Sequence, residues 1–179
     1  MSIIAIDPGI EKTGYAVGAN NKVLEIGTIK TSKKDGTDFD RVSKIKEAVR
    51  DLILKHQVSL MLIEEYHVYG NPFITGGKSH GEKTIKVITA LEFLANEIHI
   101  DCQLIHYKSW KASFDRIKPL ITMSPKFKTL NKLYESLLIK ANYTQKGTKR
   151  KGKKEDHELD AFRMLIPEII DLKAVISQN

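Results

Sequence analysis

The sequence predicts a mixed α/β fold in which a five-stranded sheet is flanked by helices. Two short apolar runs, residues 3–6 and 60–63, each end at a carboxylate, and such runs are typical of buried strands in a central sheet. Segments with apolar residues at helical spacing lie between and after them. A chain of 179 residues can bury a core of its own, so we expect a single domain over residues 1–179.

The predicted strands are residues 3–7, 13–18, 23–29, 60–63 and 102–105. Turn signals at Pro8-Gly9 and Asn20-Asn21 separate the first three, and short turns join antiparallel strands. The fourth strand follows a helix, which predicts that it pairs in parallel with the first.

The predicted helices are residues 39–56, 82–99, 108–115, 127–141 and a last helix that begins near Asp156. Asp38 is the candidate N-cap of the first helix, and Pro167 is expected to kink or end the last one. The second helix is apolar on more than one face, which favours a dimer contact along it.

The net charge of +7 predicts attraction to a phosphate backbone. The excess is concentrated in a predicted loop at about residues 143–155, which carries Lys146, Lys149, Arg150, Lys151, Lys153 and Lys154. The loop could bind DNA, or it could be a solvated segment without a partner.

Neither a secretory signal nor a membrane span is evident in the sequence. Residues 1–2 lead directly into the first predicted strand, and no apolar run approaches the roughly 20 residues that a bilayer requires. Cys102 is the only cysteine, so a disulfide framework is excluded. We therefore expect a cytoplasmic protein.

Four residues could meet at one metal site: Asp7, Glu64, His157 and Asp160. The first two end predicted strands, and the last two stand three positions apart on one helix face. Clustered carboxylates repel each other, and hard cations such as Mg²⁺ or Mn²⁺ relieve that repulsion. Two such ions could activate a water and stabilise the departing oxygen in phosphodiester hydrolysis.

Each of these residues also has a structural interpretation. Asp7 could simply form a turn. Strand side chains alternate, so only one of Glu64 and Glu65 faces the site, and the strand end favours Glu64. His157 could be an exposed residue at a helix start, with Asp156 as its N-cap.

Five segments carry a further pattern, in this order: Ile4-Ala5-Ile6-Asp7-Pro8-Gly9, Thr13-Gly14-Tyr15-Ala16-Val17, Leu62-Ile63-Glu64-Glu65, Tyr107-Lys108-Ser109-Trp110-Lys111 and Asp156-His157-Glu158-Leu159-Asp160-Ala161-Phe162. Together they resemble the motifs of RuvC-type Holliday junction resolvases, a family with an RNase H-like fold. The resemblance covers nearly the whole chain.

The resemblance implies a homodimer that binds a four-way DNA junction and cuts two symmetry-related strands with Mg²⁺. It implies that Glu64 is catalytic and that Lys111 lies near the scissile phosphate. Many relatives carry Asp-x-x-Asp in the last helix, whereas this chain has His157-x-x-Asp160, so the fourth ligand is His157 or Asp156. The long basic stretch at residues 119–154 suggests a phage or otherwise divergent member.

Further DNA contacts are expected from Lys108, Lys111 and the basic loop, although without the resemblance Lys111 would be interpreted as a surface lysine of an amphipathic helix. His67 and Tyr69, in the loop after Glu64, could stack on unpaired bases or wedge the junction open. They could also pack that loop onto the domain.

The leading hypothesis is therefore a junction-resolving endonuclease. Alternatives are a related RNase H-fold nuclease acting on branched DNA or RNA, and a non-catalytic junction-binding dimer. The acidic positions argue against the last, since carboxylates near phosphates weaken simple binding.

Overall fold

A five-stranded mixed sheet forms the centre of the protein, as the sequence predicts. The structure, a computed structural model, describes residues 1–66, 81–140 and 156–170. The strands are β1 (Ser2–Asp7), β2 (Lys12–Ala19), β3 (Lys22–Lys30), β4 (Val58–Glu64) and β5 (Asp101–Ile105). Their order is β3-β2-β1-β4-β5. The first three pair in antiparallel fashion, and β4 pairs in parallel with both β1 and β5.

Helices cover both faces of the sheet. They are α1 (Asp38–His56), α2 (Gly81–Glu97), α3 (Tyr107–Met123), α4 (Lys128–Lys140) and α5 (His157–Ile169), with 3-10 turns at Lys33–Asp35 and Pro125–Phe127. α1 and α2 bury Ile4 and Ile63 on one face, and α3, α4 and α5 bury Ala5 and Leu62 on the other. Because both faces are covered, the two central strands are apolar throughout.

The N-cap of α1 is Thr37, so the prediction of Asp38 is wrong by one residue. The Thr37 hydroxyl accepts from the backbone N–H of Asp40 at 3.3 Å, and the Asp40 carboxylate accepts from the backbone N–H of Thr37 at 2.8 Å. This reciprocal capping box satisfies two amide groups at the helix start, which Asp38 cannot do from inside the first turn.

Two helices continue through a proline, although Pro167 was expected to kink or end the last helix. α3 has 17 residues rather than the predicted short helix at 108–115, and it includes Pro119. α5 likewise does not end at Pro167 but extends to Ile169. In both helices the buried residues keep helical spacing beyond the proline, so core packing compensates for one missing backbone hydrogen bond.

Polar contacts fix the ends of two helices against the edge strand β3. Glu25 accepts hydrogen bonds from Tyr15 and Lys55 and contacts His56, at 2.7–3.0 Å, which fastens the end of α1. Glu158, in the first turn of α5, accepts from Thr28 at 2.7 Å and from Lys140 at 2.5 Å. The second set matters most here, because it fixes the turn of α5 that carries His157 and Asp160.

Within the described ranges, no helix is both long and apolar enough to cross a lipid bilayer.

Candidate metal centre

Asp7 and Glu64 lie side by side at the carboxyl ends of the two central strands. The register pairs Ile6 of β1 with Ile63 of β4, so each carboxylate follows directly on a paired residue. Side chains alternate along a strand, so Asp7 and Glu64 share the face of Ala5 and Leu62, which α3, α4 and α5 cover. The apolar runs and their parity could thus predict this juxtaposition.

α5 brings His157 and Asp160 to the same edge of the sheet. A Cβ atom at Gly14 of β2 would collide with the backbone carbonyl of His157, so the first turn of α5 can lie directly on the strand only because position 14 lacks a side chain. This close approach is the physical reason for a glycine within Thr13-Gly14-Tyr15, a motif that the sequence alone did not explain.

The predicted ligands border one open cavity of about 420 Å³. Its lining residues are Asp7, Pro8, Glu64, Glu65, Tyr66, Thr84, Tyr107, Asp156, His157 and Asp160. Glu65 therefore reaches the same cavity, although its backbone N–H is bound to the carbonyl of Ile105 at 2.9 Å. Among the described side chains, no three are close enough in their present rotamers to hold an ion. The carboxylates line the cavity, but their oxygens do not form a coordination shell in these rotamers.

Asp7 and His157 are in direct contact, with 2.6 Å between Oδ2 and Nδ1. Burial raises the pKa of Asp7, and His157 opposes part of that rise. The hydrogen bond to Asp7 raises the pKa of His157 in turn, against burial, which lowers it. The contact thus favours the charged forms of both groups, against the burial that disfavours them.

The pKa values of Glu64 and Asp160 are both well above their ordinary values. Burial, followed by the charges of Asp7 and Asp160, raises the pKa of Glu64 from 4.5 to about 8. Burial and the charge of Asp7 raise the pKa of Asp160 from 3.8 to about 7. Burial is the larger cause of both shifts, and the negative charge of the neighbouring carboxylates adds to it. The oxygen donors and this excess charge fit a hard divalent ion such as Mg²⁺.

Arg163, a residue that sequence reasoning missed, holds Asp160 from outside the cavity. Its Nη1 donates to Oδ1 of Asp160 at 3.1 Å. The guanidinium lies 5.9 Å and 6.0 Å from the ring centres of Phe114 and Tyr134, within cation–π range. The i,i+3 spacing from Asp160 was the available signal. The position of the rings, on α3 and α4, depends on tertiary packing and has no local signal.

Lys111 lies beside the acidic cavity rather than in it. Its ammonium pairs with Asp115 at 2.7 Å, and the side chain is about half exposed. It borders a neighbouring cavity of about 210 Å³ together with Trp110 and Arg163, and Tyr107 borders both cavities. Lys108 is exposed in the first turn of α3.

The remaining predicted DNA-contacting residues lie outside the described parts of the chain. They are the wedge candidates His67 and Tyr69 and the basic residues Lys146, Lys149, Arg150, Lys151, Lys153 and Lys154.

Comparison with solved structures identifies the fold as RNase H-like. "T. thermophilus RuvC in complex with Holliday junction substrate" matches with a TM-score of 0.63 and 18% identity, over 93% of this chain and 91% of that chain. The yeast mitochondrial Holliday junction resolvase Ydc2 matches with a TM-score of 0.52 and 11% identity, over 92% and 77% of the two chains. At these identities the likeness concerns the fold alone.

The chain belongs to the RuvC family, as the resemblance implied. The family model "Crossover junction endodeoxyribonuclease RuvC" matches residues 3–92, which include Asp7 and Glu64. Proteins of that name are 33% identical over 75 residues in Ehrlichia chaffeensis, covering 40% of this chain and 47% of the relative. In Prochlorococcus marinus strain MIT 9211 the identity is 33% over 94 residues, covering 50% and 52%. The chain spans about half the length of the curated relatives it matches.

Proposed function

We propose that the protein is a structure-specific endonuclease that resolves four-way DNA junctions by paired, symmetric nicks. The observation that carries the proposal is the cavity shared by Asp7, Glu64, His157 and Asp160, in a chain of the RuvC family. The crossover junction activity in the names of its relatives agrees with it, as does the Holliday junction substrate held by the structurally similar T. thermophilus protein.

We propose that Asp7, Glu64 and Asp160 hold two Mg²⁺ ions, for which Mn²⁺ can substitute, with His157 or Asp156 as a further ligand. The raised pKa values of Glu64 and Asp160 support this, because a cation would relieve the repulsion that causes part of each shift. When bound, such ions activate water and stabilise the departing oxygen.

The residues of the chain would supply position and charge. Asp7 ends a central strand and pairs with Gly14, and His157 would fix the orientation of one of its oxygens. Arg163 does the same for Asp160. Lys111 would contact the phosphate after leaving Asp115, an exposed partner that holds it weakly. Lys108 and the basic loop would follow the DNA backbone, with His67 or Tyr69 at the branch point.

A homodimer would supply two such cavities for paired nicks. The surface that favours it is an apolar groove of about 460 Å³ between α1 and α2. Phe39, Ile85 and Phe93 line it and are 79%, 48% and 68% exposed. Burial of such large apolar side chains against a second copy is favourable by roughly 1.5–3 kcal/mol each.

We place the protein in the cytoplasm, where its one thiol, half-buried Cys102, would stay reduced.

Cleavage of a synthetic four-way junction tests the proposal. The purified chain is incubated with the four-way junction, a three-way branched DNA, a linear duplex and an RNA–DNA hybrid, with MgCl₂ or with chelator. We expect symmetric nicks in the junction alone, and only with MgCl₂. Asp7→Asn should abolish cutting while junction binding persists, and Asp51→Asn, exposed on α1, should cut normally.

Other outcomes would favour the alternatives. Cleavage of the hybrid or of other branched DNA would indicate a related RNase H-fold nuclease. Tight junction binding without cleavage under any condition would indicate a non-catalytic junction-binding dimer.

A further inference from the structure

Trp110 is a buried side chain whose indole N–H makes no hydrogen bond to a described residue. It is the only tryptophan of the chain, and it is 4% exposed within the core beneath α3, α4 and α5. A buried donor left unsatisfied costs about 1–3 kcal/mol, so its retention needs a reason.

The first turn of α3 brings this indole to the carboxylate of Glu64. β5 pairs with β4 so that Ile105 lies opposite Glu64, and α3 begins only two residues later. Tyr107 borders the acidic cavity with Glu64 and contacts Trp110 edge to face, with ring centres 5.1 Å apart. Trp110 and Leu62 belong to one core cluster, so the indole lies on the sheet face to which Glu64 points.

Glu64 lacks any other donor among the described side chains. The Trp110 N–H is near enough to lower the pKa of Glu64, against the larger effect of burial, yet it does not form a hydrogen bond of normal geometry. Hydrogen bonds in a catalytic site are often long or poorly aligned in the free protein and tighten once the substrate is bound. Both groups are therefore in place for a bond that the free protein has not completed.

We propose that Trp110 is a positioning residue whose indole N–H donates to one oxygen of Glu64 and leaves the other oxygen for a divalent cation. The inference rests on the proposed function only in that Glu64 is taken as a ligand. Donors of this kind fix the orientation of ligating side chains, and their loss typically costs about 10–100-fold in metal affinity or activity. An indole does this without a positive charge that would compete with the cation.

The alternative is that Trp110 only fills the core. Trp110→Phe distinguishes the two, because phenylalanine keeps an aromatic ring against Tyr107 and removes the donor. We expect calorimetric titration of the whole protein with MgCl₂ to give an affinity about tenfold weaker for this variant. Its thermal stability in chelator should change little. Ile117→Val, a packing change on the same buried face of α3, should lower stability and leave the MgCl₂ affinity unchanged.

Because Trp110 is the only tryptophan, its fluorescence provides a second readout on the unaltered protein. Titration with MgCl₂ should shift its emission with the midpoint that calorimetry gives, since completing the hydrogen bond changes the surroundings of the indole. Equal MgCl₂ affinity in wild type and Trp110→Phe, or calorimetric binding without a change in emission, would overturn the inference alone. A wild-type protein that binds no MgCl₂ would overturn the proposed function as well.

Discussion

Nδ1 of His157 lies 2.6 Å from Oδ2 of Asp7, so the first strand and the last helix of the protein meet through one histidine–carboxylate contact. The contact joins residues 150 positions apart. It also occupies an oxygen that a metal ion would use. A cation that used this oxygen would therefore compete with His157 for Asp7.

Binding of MgCl₂ is expected to release protons and to strengthen as pH rises. Glu64 and Asp160 have pKa values of about 8 and about 7, so near neutral pH each carries a proton for much of the time, which a cation would displace, and the raised pKa of His157 acts in the same direction. Calorimetry in buffers of different ionisation enthalpy would count the protons. An affinity that is constant between about pH 6 and about pH 9 would contradict the prediction.

Glu64→Gln should stabilise the metal-free protein. The pKa of Glu64 is about 8 when folded and about 4.5 ordinarily, so wild-type stability falls as pH rises through this interval, when the buried group must give up its proton. We expect a gain of about 1–3 kcal/mol in the free energy of unfolding near neutral pH, and none below about pH 4. Urea denaturation in chelator measures this, with exposed Glu47→Gln as the control.

Arg163→Leu should leave the Asp160 carboxylate without the hydrogen bond that orients it. The substitution keeps an apolar side chain against Phe114 and Tyr134 and removes the hydrogen bond to Asp160. We expect junction cleavage to fall by about 10–100-fold with little change in junction affinity. Arg163→Lys, which keeps the charge without the planar fork, should recover only part of the rate. Full activity of Arg163→Leu would show that Asp160 needs no such support.

The ionised Glu25 carboxylate should stabilise the fold at neutral pH and lose this effect in acid. Hydrogen bonds from Lys55 and His56 hold the pKa of Glu25 at about 2, below its ordinary 4.5. A depressed pKa stabilises the fold fully above the unfolded value, and this contribution is lost as pH falls from 4.5 toward 2. Glu25→Gln should therefore destabilise the protein near neutral pH and much less below about pH 2. Exposed Glu11→Gln serves as the control, and an equal loss at both pH values would refute the linkage.

Phe93→Glu should convert the proposed dimer to a monomer. It introduces a charge into the apolar groove between α1 and α2, where Phe93 is 68% exposed and contributes little to the fold of one chain. Sedimentation velocity should show the halved mass, and four-way junctions should no longer be cut in paired fashion. Leu54 is an exposed apolar residue of α1 outside the groove, so Leu54→Glu should leave the dimer unchanged. An unaltered dimer would place the interface elsewhere.

The sheet and the main acidic residues could be predicted because their signals are local. Fully apolar runs identify the two central strands, and the pairing of strands of known direction places Asp7 beside Glu64. The i,i+3 spacing likewise places His157 and Asp160 on one helix face. These predictions need only strand parity and helical period.

The features that the sequence did not predict depend on contacts between elements that are far apart along the chain. α3 is longer than the predicted 108–115 because burial of Ile121 favours a helix that continues past Pro119, a residue that is locally unfavourable there. The role of Arg163 depends on rings from two other helices, and Lys111 is paired with Asp115 rather than placed among the carboxylates. No pattern along the chain reports such distances.

The residue that allows α5 to pack against β2 is Gly14, which has no side chain. Gly14 lets the backbone of His157 rest on β2, so even a methyl group there would lift the start of α5 away from the sheet. His157 and Asp160 would then move away from Asp7 while the strands stayed paired. A single added carbon, on the residue that pairs with Asp7 across the sheet, would thus imitate the loss of one of the proposed catalytic side chains while the strands stay intact.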